Sequence, residues 1–194
     1  MSPETAPRPK RADAVRNRER VVGAAVEALA ELGPEVSIDD VAARAGVGRA
    51  TVYRSFPTKD HLIAAVAVER LRRFEQLATD ACDEPDAVAA FRSLLVTIAE
   101  NNAKDRIMLG ALRLTSEIPE LTHARAATSA ALDRLMRRAK RQGGLRRDAT
   151  AEDVRVLFSG LTHSLTAEQQ QSPQLWRRYA NLIADALSAP APGG

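Results

Sequence analysis

The sequence predicts an all-α protein, and three observations support this prediction. Apolar residues recur every three or four positions along most of the chain, which is the spacing of one helix face. No segment shows the alternation of a half-buried strand, and no turn is flanked by strand patterns. Aromatic residues make up 4% of the 194 residues, and β-branched residues are scattered. A chain of this length forms one large domain or two small ones and can bury a core without disulfides.

The first part of the chain predicts a flexible arm followed by two short helices. Residues 1–14 are polar, contain three prolines and carry a basic cluster, so we expect an arm. The first helix follows at about residue 16, and Gly33 with Pro34 ends it. Ser37 is the N-cap of the second helix, and Asp40, three residues later, completes an approximate capping box.

A tight turn at Gly46 leads into a short third helix, which Pro57 ends. Thr58 caps a long fourth helix, and Pro85 separates the fourth helix from the fifth. Later in the chain, prolines open the seventh and ninth helices, two glycines end the seventh, and a capping box opens the eighth. These later residues are Pro119, Gly143, Gly144, Thr150, Asp153 and Pro173. The nine predicted helices cover approximately residues 16–32, 38–45, 49–56, 59–81, 86–101, 105–115, 119–142, 151–169 and 173–187.

Several classes of protein are excluded by composition. The single cysteine, Cys82, cannot form an intrachain disulfide or a cysteine-based zinc site. The first 20 residues contain six Lys/Arg and no apolar stretch, unlike a secretory signal. The longest apolar run has seven residues, Leu62 to Val68, whereas a membrane span needs about 20. We therefore expect a protein of the cytoplasm with no membrane partner.

Positive charge is concentrated in three places, although the formal net charge is only +3. The N-terminal 20 residues have six bases against three acids, and residues 44–59 have four bases and no acid. Residues 134–147 have seven bases and no acid. Such clusters on a nearly neutral chain indicate a localised anionic partner. For residues 134–147, cations that complement the end of a helix are the simpler explanation.

The three short helices with a glycine turn have the outline of a helix-turn-helix unit, whose last helix enters the major groove of DNA. The exposed residues of that helix carry no carboxylate that would repel phosphates. Arg49 can bond guanine, the methyl group of Ala50 can contact thymine, and hydroxyl groups can bond phosphates. The free N–H groups at the start of the second and fourth helices also attract phosphates.

The segment Ser37-Ile-Asp-Asp-Val-Ala-Ala-Arg-Ala-Gly-Val-Gly-Arg-Ala-Thr-Val-Tyr-Arg-Ser-Phe-Pro-Thr-Lys59 resembles the DNA-binding segment of TetR-family transcriptional regulators. The Ala-Gly-Val turn, the Thr-Val-Tyr sequence in the third helix, and Phe56 followed by Lys59 carry the resemblance. Gly48 departs from the family pattern, in which a polar residue is common, and so does Ser55, where an aromatic residue or His is frequent. The candidate DNA-binding residues are Ser37, Arg44, Arg49, Ala50, Thr51, Tyr53, Arg54, Ser55 and Lys59.

The resemblance implies a homodimer that binds a near-palindromic operator and a small effector that changes the spacing of its two DNA-binding heads. We therefore divide the chain into the basic arm 1–14, a helix-turn-helix domain 15–60, an effector-binding and dimerisation body 61–187, and a disordered tail 188–194. Candidate effector contacts are Phe74, Phe91, Leu95, Met108, Leu112, Arg113, His123, Phe158 and His163. Candidate dimer contacts are Leu157, Leu161, Leu165, Trp176, Tyr179 and Ile183.

The sequence thus favours a ligand-responsive DNA-binding regulator, and we expect it to act as a repressor. We expect no cofactor, metal or enzymatic activity. Residues 46–51 form a broken dinucleotide-binding motif, which lacks its third glycine and a preceding strand. Glu120 and His123 copy half of a di-iron motif, but neither His61 nor His163 has a Glu three residues before it. The main alternative is a helical small-molecule-binding protein without sequence-specific DNA binding.

Overall fold

The computed structural model describes residues 8–104, 118–168, 170 and 172–190. It confirms the all-α fold: eight α-helices lie in these ranges, with one isolated antiparallel bridge between Leu145 and Ser188. In chain order, the helices are α1 (Arg8–Leu32), α2 (Ile38–Ala45), α3 (Arg49–Ser55), α4 (Lys59–Asp80), α5 (Ala87–Lys104), α6 (Pro119–Arg141), α7 (Ala151–Ala167) and α8 (Pro173–Leu187). The helix predicted over 105–115 lies outside the described residues. In the described part, no helix is both long enough and apolar enough to cross a membrane.

Helix α1 begins earlier than predicted, because residues 8–14, assigned to a flexible arm, are helical. Proline is tolerated in the first turn of a helix, so Pro9 does not prevent this start. The residues after Pro9 include Ala, Arg and Glu, which favour helix, and no glycine precedes Gly23. At the other end, Gly33 has a φ of 70° and terminates the helix as predicted.

The turn between α2 and α3 depends on Gly46, which adopts the left-handed conformation with a φ of 62°. This conformation strains residues that carry a Cβ. The predicted capping box at the start of α2 is present, because Ser37 and Asp40 exchange side-chain and backbone hydrogen bonds. Gly48 precedes α3 without a side-chain cap. The capping box therefore fixes where α2 begins, and the glycine turn fixes how α3 follows it.

Helix α4 connects the two main cores of the molecule. Its residues Leu62 and Val66 belong to the core of the head, the unit formed by α1, α2, α3 and the start of α4. The next two residues, Ala67 and Val68, pack against the start of α6 in a small separate cluster. Ala78, near its end, belongs to the large core of the body, which α5, α6, α7 and α8 form with the end of α4.

The end of α8 is fastened to the segment that follows α6. The Arg146 N–H donates to the Leu187 carbonyl at 3.0 Å, and the Ala189 N–H donates to the Gly144 carbonyl at 3.1 Å. A Cβ on Gly144 would lie 2.2 Å from a methyl group of Val88, so the close approach requires glycine. Residues 188 and 189, which we assigned to a disordered tail, are therefore held by backbone bonds.

Several cations of the basic run at 134–147 bind groups of the protein itself. The Arg138 guanidinium donates to the Glu84 carbonyl at 2.9 Å, and the Lys140 ammonium donates to the Ala149 carbonyl at 2.6 Å. Arg134 donates to the Thr79 hydroxyl at 3.3 Å. Two of these bonds go to carbonyls of the connections that precede α5 and α7, and the third goes to a hydroxyl of α4. The run therefore supports the fold of the body.

Candidate nucleic-acid interface and effector cavity

Helix α3 presents one face to solvent and buries the other. Val52 and Phe56 are 0% and 1% exposed in the core of the head. Arg49, Ala50, Tyr53 and Arg54 are exposed, and Thr51 and Ser55 are half-buried. The helix is only seven residues long and is exposed from its first turn. Its outward face thus carries hydroxyl groups, a methyl group and two cations, a surface able to contact both phosphates and base edges.

Arg18 of α1 holds the C-terminal end of α3 in place. Its guanidinium donates to the Ser55 carbonyl at 3.0 Å and lies 4.3 Å from the centre of the Phe56 ring. The carbonyls at the end of a helix lack partners within the helix, so this bond satisfies one of them. Sequence reasoning missed this contact because it joins residues 37 positions apart.

The guanidinium of Arg49 is held by two neighbours on the exposed face. It donates to the Asp39 carboxylate at 3.2 Å and to the Tyr53 hydroxyl at 3.4 Å, and it lies 5.5 Å from the centre of the Tyr53 ring. The bond to Tyr53 and the charge of Asp39 raise the pKa of Arg49 above its ordinary value. Asp39 lies on α2, ten positions before Arg49, so the contact depends on how the two helices pack and no local pattern predicts it.

Arg44, a predicted DNA contact, is bound within the head. It donates to Glu31 of α1 at 3.1 Å and lies 3.7 Å from Glu27. The hydrogen bond and charge of Arg44 lower the pKa of the Glu31 carboxyl. With its side chain 30% exposed, Arg44 links α2 to α1.

Ser37 and Lys59 lie at the N-terminal ends of α2 and α4. The Ser37 hydroxyl donates to the Asp40 carboxylate at 2.6 Å and accepts from the Asp40 N–H at 3.1 Å. The bonds that the Ser37 hydroxyl and the Ser37 N–H donate to the Asp40 carboxylate lower the pKa of that carboxyl. Lys59 is half-buried and is engaged in an interaction of its own. The side chain of Ser37 is therefore used within the helix cap, although it is exposed.

A cavity of about 650 Å³ lies in the body between α4, α5, α6 and α7. Of the predicted effector contacts, Phe74 and Phe158 line it. Phe91 and Leu95 lie in the closed core, and His123 and His163 are exposed outside the cavity. Met108, Leu112 and Arg113 lie outside the described residues. The described lining residues are Ala67, Leu71, Phe74, Ile98, Asn102, Leu121, Arg125, Ala126, Thr128, Ser129, Leu132, Ala151, Glu152, Val154, Arg155, Phe158, Ser159 and Thr162.

Two buried polar residues in this cavity escaped sequence reasoning. Asn102 and Thr162 are 8% and 3% exposed, and the Asn102 amide donates to the Thr162 hydroxyl at 3.2 Å. Asn102 continues the helical spacing of Phe91, Leu95 and Ile98, so it occupies a position where an apolar residue is expected. That interruption of the apolar stripe is the pattern that could have revealed it.

The predicted dimer contacts divide into surface and core residues. Leu157 and Tyr179 are 41% and 37% exposed, and Leu161 and Ile183 are partly buried against the core. Trp176, in contrast, is 1% exposed, and its indole N–H donates to the Gln170 carbonyl at 2.8 Å. Leu165 is 5% exposed. These two side chains fill the protomer's own core, which corrects their assignment to an interface.

Two further apolar residues extend the exposed surface of α7 and α8. Val156 is 53% exposed and Leu182 is 50% exposed. Together with Leu157 and Tyr179 they define what we call the α7–α8 apolar face. Single exposed apolar residues are ordinary on a protein surface, whereas a contiguous apolar patch marks an interaction site.

The head, with its exposed α3 behind a glycine turn, defines a helix-turn-helix DNA-binding protein. The model of the bacterial regulatory proteins of the tetR family matches residues 21–66. A TetR transcription regulatory protein from Mycobacterium vanbaalenii is 32% identical, with 93% of this chain and 100% of that chain covered and a TM-score of 0.61. The chain therefore belongs to the TetR family, whose members are DNA-binding transcriptional regulators with a ligand-binding body rather than enzymes.

Two more distant structures share the fold. RolR in complex with the ligand resorcinol is 17% identical, with a TM-score of 0.68, and the match covers 93% of this chain and 91% of that chain. SmeT, the repressor of the Stenotrophomonas maltophilia multidrug efflux pump SmeDEF, is 20% identical, with a TM-score of 0.65 and coverage of 91% and 94%. No curated protein matches the chain.

Among the described residues, no cluster of three or more His, Cys, Asp or Glu could hold a metal ion.

Proposed function

We propose that the chain is a homodimeric repressor that binds a near-palindromic operator in the cytoplasm and is released by a small molecule bound in the body. The observation that carries this proposal is the course of α4. Its first turns belong to the core of the head, and its later residues Leu71 and Phe74 line the cavity. A ligand that favours a shifted α4 would therefore favour a shifted head.

The contacts between α4 and α6 support this coupling. The Thr128 hydroxyl of α6 donates to the Leu71 carbonyl of α4 at 3.1 Å and also to the Ala124 carbonyl at 2.9 Å. Ile118 and Leu121, at the start of α6, pack against Ala67 and Val68. A change of cavity shape near α6 would thus act on the same helix that enters the core of the head.

For the DNA contacts, we propose that Arg49 bonds base edges and that Ala50 contacts an apolar base group. Thr51, Tyr53, Arg54 and Ser55 surround them with hydroxyl groups and one further cation, which suit phosphates. Ser37 and Lys59 remain proposed phosphate contacts through the N-terminal ends of their helices. Arg44 is proposed to support the head through its bonds to α1.

For the dimer, we propose that the α7–α8 apolar face packs against the same face of a second copy. An interface of this kind is self-complementary in a two-fold dimer, so one surface meets itself. Tyr179, which is large and exposed, is the proposed anchor. Two heads on one dimer would contact the two halves of a near-palindromic operator.

The small-molecule release is supported by the neighbours RolR and SmeT. RolR was solved with resorcinol bound, and SmeT is described as a repressor. The cavity of about 650 Å³ lies within the usual range of small-molecule sites, roughly 300–1,000 Å³. Ten of its 18 described lining residues are apolar, and the other eight carry polar or charged side chains.

The experiment that tests the proposal is selection of genomic DNA fragments by the purified protein. Selection at about 150 mM salt limits non-specific binding to phosphates. The matched control is the double variant R49A/Y53A, which removes the two exposed side chains that bond each other on α3. Recovery of a near-palindrome by the natural protein and its loss in the variant would support the regulator. Binding without sequence preference would instead favour a small-molecule-binding protein.

A further inference from the structure

We propose that the cavity binds an uncharged, mainly apolar molecule whose polar group, a hydroxyl, carbonyl or amide, hydrogen-bonds to Asn102 and Thr162. The inference rests on the proposed function, because it takes this cavity as the effector site. It adds the chemical class of the effector, which neither the family nor the fold determines.

The pair of Asn102 and Thr162 is the first support for this inference. Among the residues that the structure describes, they are the only polar side chains that are buried, and both line the cavity. Burying a polar group costs free energy unless a hydrogen bond replaces its contacts with water. Two apolar residues of similar volume would fill the same space without that cost, so a ligand-binding role accounts for the pair better than packing does.

The chemistry of the pair allows a ligand to be either donor or acceptor. An amide has two N–H donors and one carbonyl oxygen, and the bond to Thr162 uses one N–H. The Thr162 hydroxyl accepts that bond and has one hydrogen of its own to donate. Hydroxyl, carbonyl and amide groups all match such a set of partners.

The charged residues of the lining favour an uncharged ligand. Arg155 donates to Glu152 at 2.7 Å, and both side chains are more than half exposed, at 57% and 64%. Arg125 is exposed and has an interaction of its own. Among the described residues, the buried end of the cavity therefore holds an amide and a hydroxyl rather than a counter-charge. An ionised ligand group placed there would lose water without gaining an opposite charge.

The remaining walls determine the apolar part of the ligand. Phe74 of α4, Ile98 of α5, Leu132 of α6 and Phe158 of α7 contribute aromatic and aliphatic surface. The half-buried hydroxyl of Thr128 on α6 is already bonded, because it shares its hydrogen between the carbonyls of Leu71 and Ala124. Ser129 and Ser159 are exposed and half-buried, respectively, at positions that water can reach. A ligand body of hydrocarbon or aromatic rings fits these walls.

The test uses three probes that share one alkyl chain and differ in the polar group: 1-decanol, decanoate and decyltrimethylammonium. Displacement of a fluorescent apolar dye from the natural protein measures their binding in the absence of DNA. We expect 1-decanol to displace the dye at a concentration about tenfold lower than either charged probe. The double variant N102L/T162V should lose about tenfold in affinity for 1-decanol and little for the charged probes.

Two controls separate this role from a structural one. The double variant removes both polar partners and keeps the number and branching of the side-chain heavy atoms, so its melting temperature should equal or exceed that of the natural protein. T166V makes the same change one turn later on α7, outside the described lining, and should leave 1-decanol binding unchanged. The proposal is overturned if a charged probe binds best, if 1-decanol fails to displace the dye, or if a folded double variant binds 1-decanol like the natural protein. None of these outcomes involves DNA, so failure of the ligand class is distinguishable from failure of the regulator.

Discussion

The head and the body of this molecule differ in their buried polar groups. In both units, charged side chains bond across helices at the surface, as Arg18 does with α3 in the head and Arg177 with Glu100 of α5 in the body. In the body, a polar pair is buried beside a cavity of about 650 Å³. The head therefore fixes the position of one short helix, whereas the body has internal space that a ligand can fill. A rigidly held helix suits contact with DNA. A cavity in the interior allows the body to change shape when a ligand binds.

Helix α4 is central to the molecule, because its residues belong to both the head and the body. Leu62 lies in the core of the head, and Phe74 lines the cavity. A ligand can change DNA affinity only by binding one arrangement of the molecule better than the other. The difference between the two units thus predicts separable effects of mutations, and the following substitutions are designed to separate them.

The largest effect is expected from F56A, which removes a ring that is 1% exposed in the core of the head. Truncation of a buried Phe costs about 3–5 kcal/mol of stability. Because the cores of head and body are separate clusters, we expect operator binding to be lost while the body still binds its ligand. Thermal unfolding followed by circular dichroism, together with dye binding to the cavity, would show this. Loss of both activities at once would indicate one cooperative unit.

R49A is expected to cost roughly 1–3 kcal/mol of operator affinity and to relax preference at one base position. The physical reason is that a guanidinium can bond two acceptors on guanine. Binding to a set of operators with single base changes measures the effect. An equal loss on every sequence would show that Arg49 contacts phosphate and not a base.

In the body, T162V removes the hydroxyl that accepts the Asn102 amide bond. Leaving a buried polar partner unsatisfied costs about 1–3 kcal/mol, so the melting temperature should fall. Adding N102L should restore that loss in full, since both partners are then apolar. Denaturant unfolding of the single and double variants provides the measurement. Additive losses would contradict a direct bond between the two side chains.

G46A should destabilise the head by about 1–2 kcal/mol, because residue 46 needs a positive φ. A Cβ at this position would meet no atom within 4 Å, so the cost is conformational and not steric. G48A is the matched control: residue 48 has a φ of −71° and the same open space. We expect it to be nearly neutral. Equal losses in both variants would rule out this explanation of the turn.

The smallest effect is expected from D39N, which removes the carboxylate beside Arg49. Without that negative charge, non-specific DNA should bind a few-fold more tightly, and the dependence on salt should steepen by about one charge. D83N, an exposed acid in the body, changes the net charge equally and serves as the control. A similar gain in both variants would show that only total charge matters.

The sequence predicted the head well because its determinants are local. Ser37, Gly46 and Pro57 mark boundaries through their own backbone chemistry, and the structure shows the predicted cap and turn at the first two. The start of α1 was predicted too late, because basic and polar residues were interpreted as an arm although they also favour helix. The contact between Arg18 and α3 depends on tertiary packing, which no local pattern reveals.

The cavity was harder to predict, because lining and closed core have the same apolar composition. Phe91 and Phe74 both lie on helical stripes, yet only Phe74 lines the cavity. Trp176 resembled an interface anchor and is a core residue, since its burial is decided by the packing of α8 against the body. Asn102 was not predicted, because only an interruption of the apolar stripe on α5 distinguishes it from a surface residue.

The most direct test of the account is whether filling the cavity weakens operator binding. Operator affinity is measured by fluorescence anisotropy with and without saturating 1-decanol, and 1-decanol affinity with and without saturating operator. Because coupling between two sites is reciprocal, the account predicts the same fold-loss in both directions. Binding of 1-decanol in the cavity with unchanged operator affinity would contradict the proposed transmission from body to head through α4.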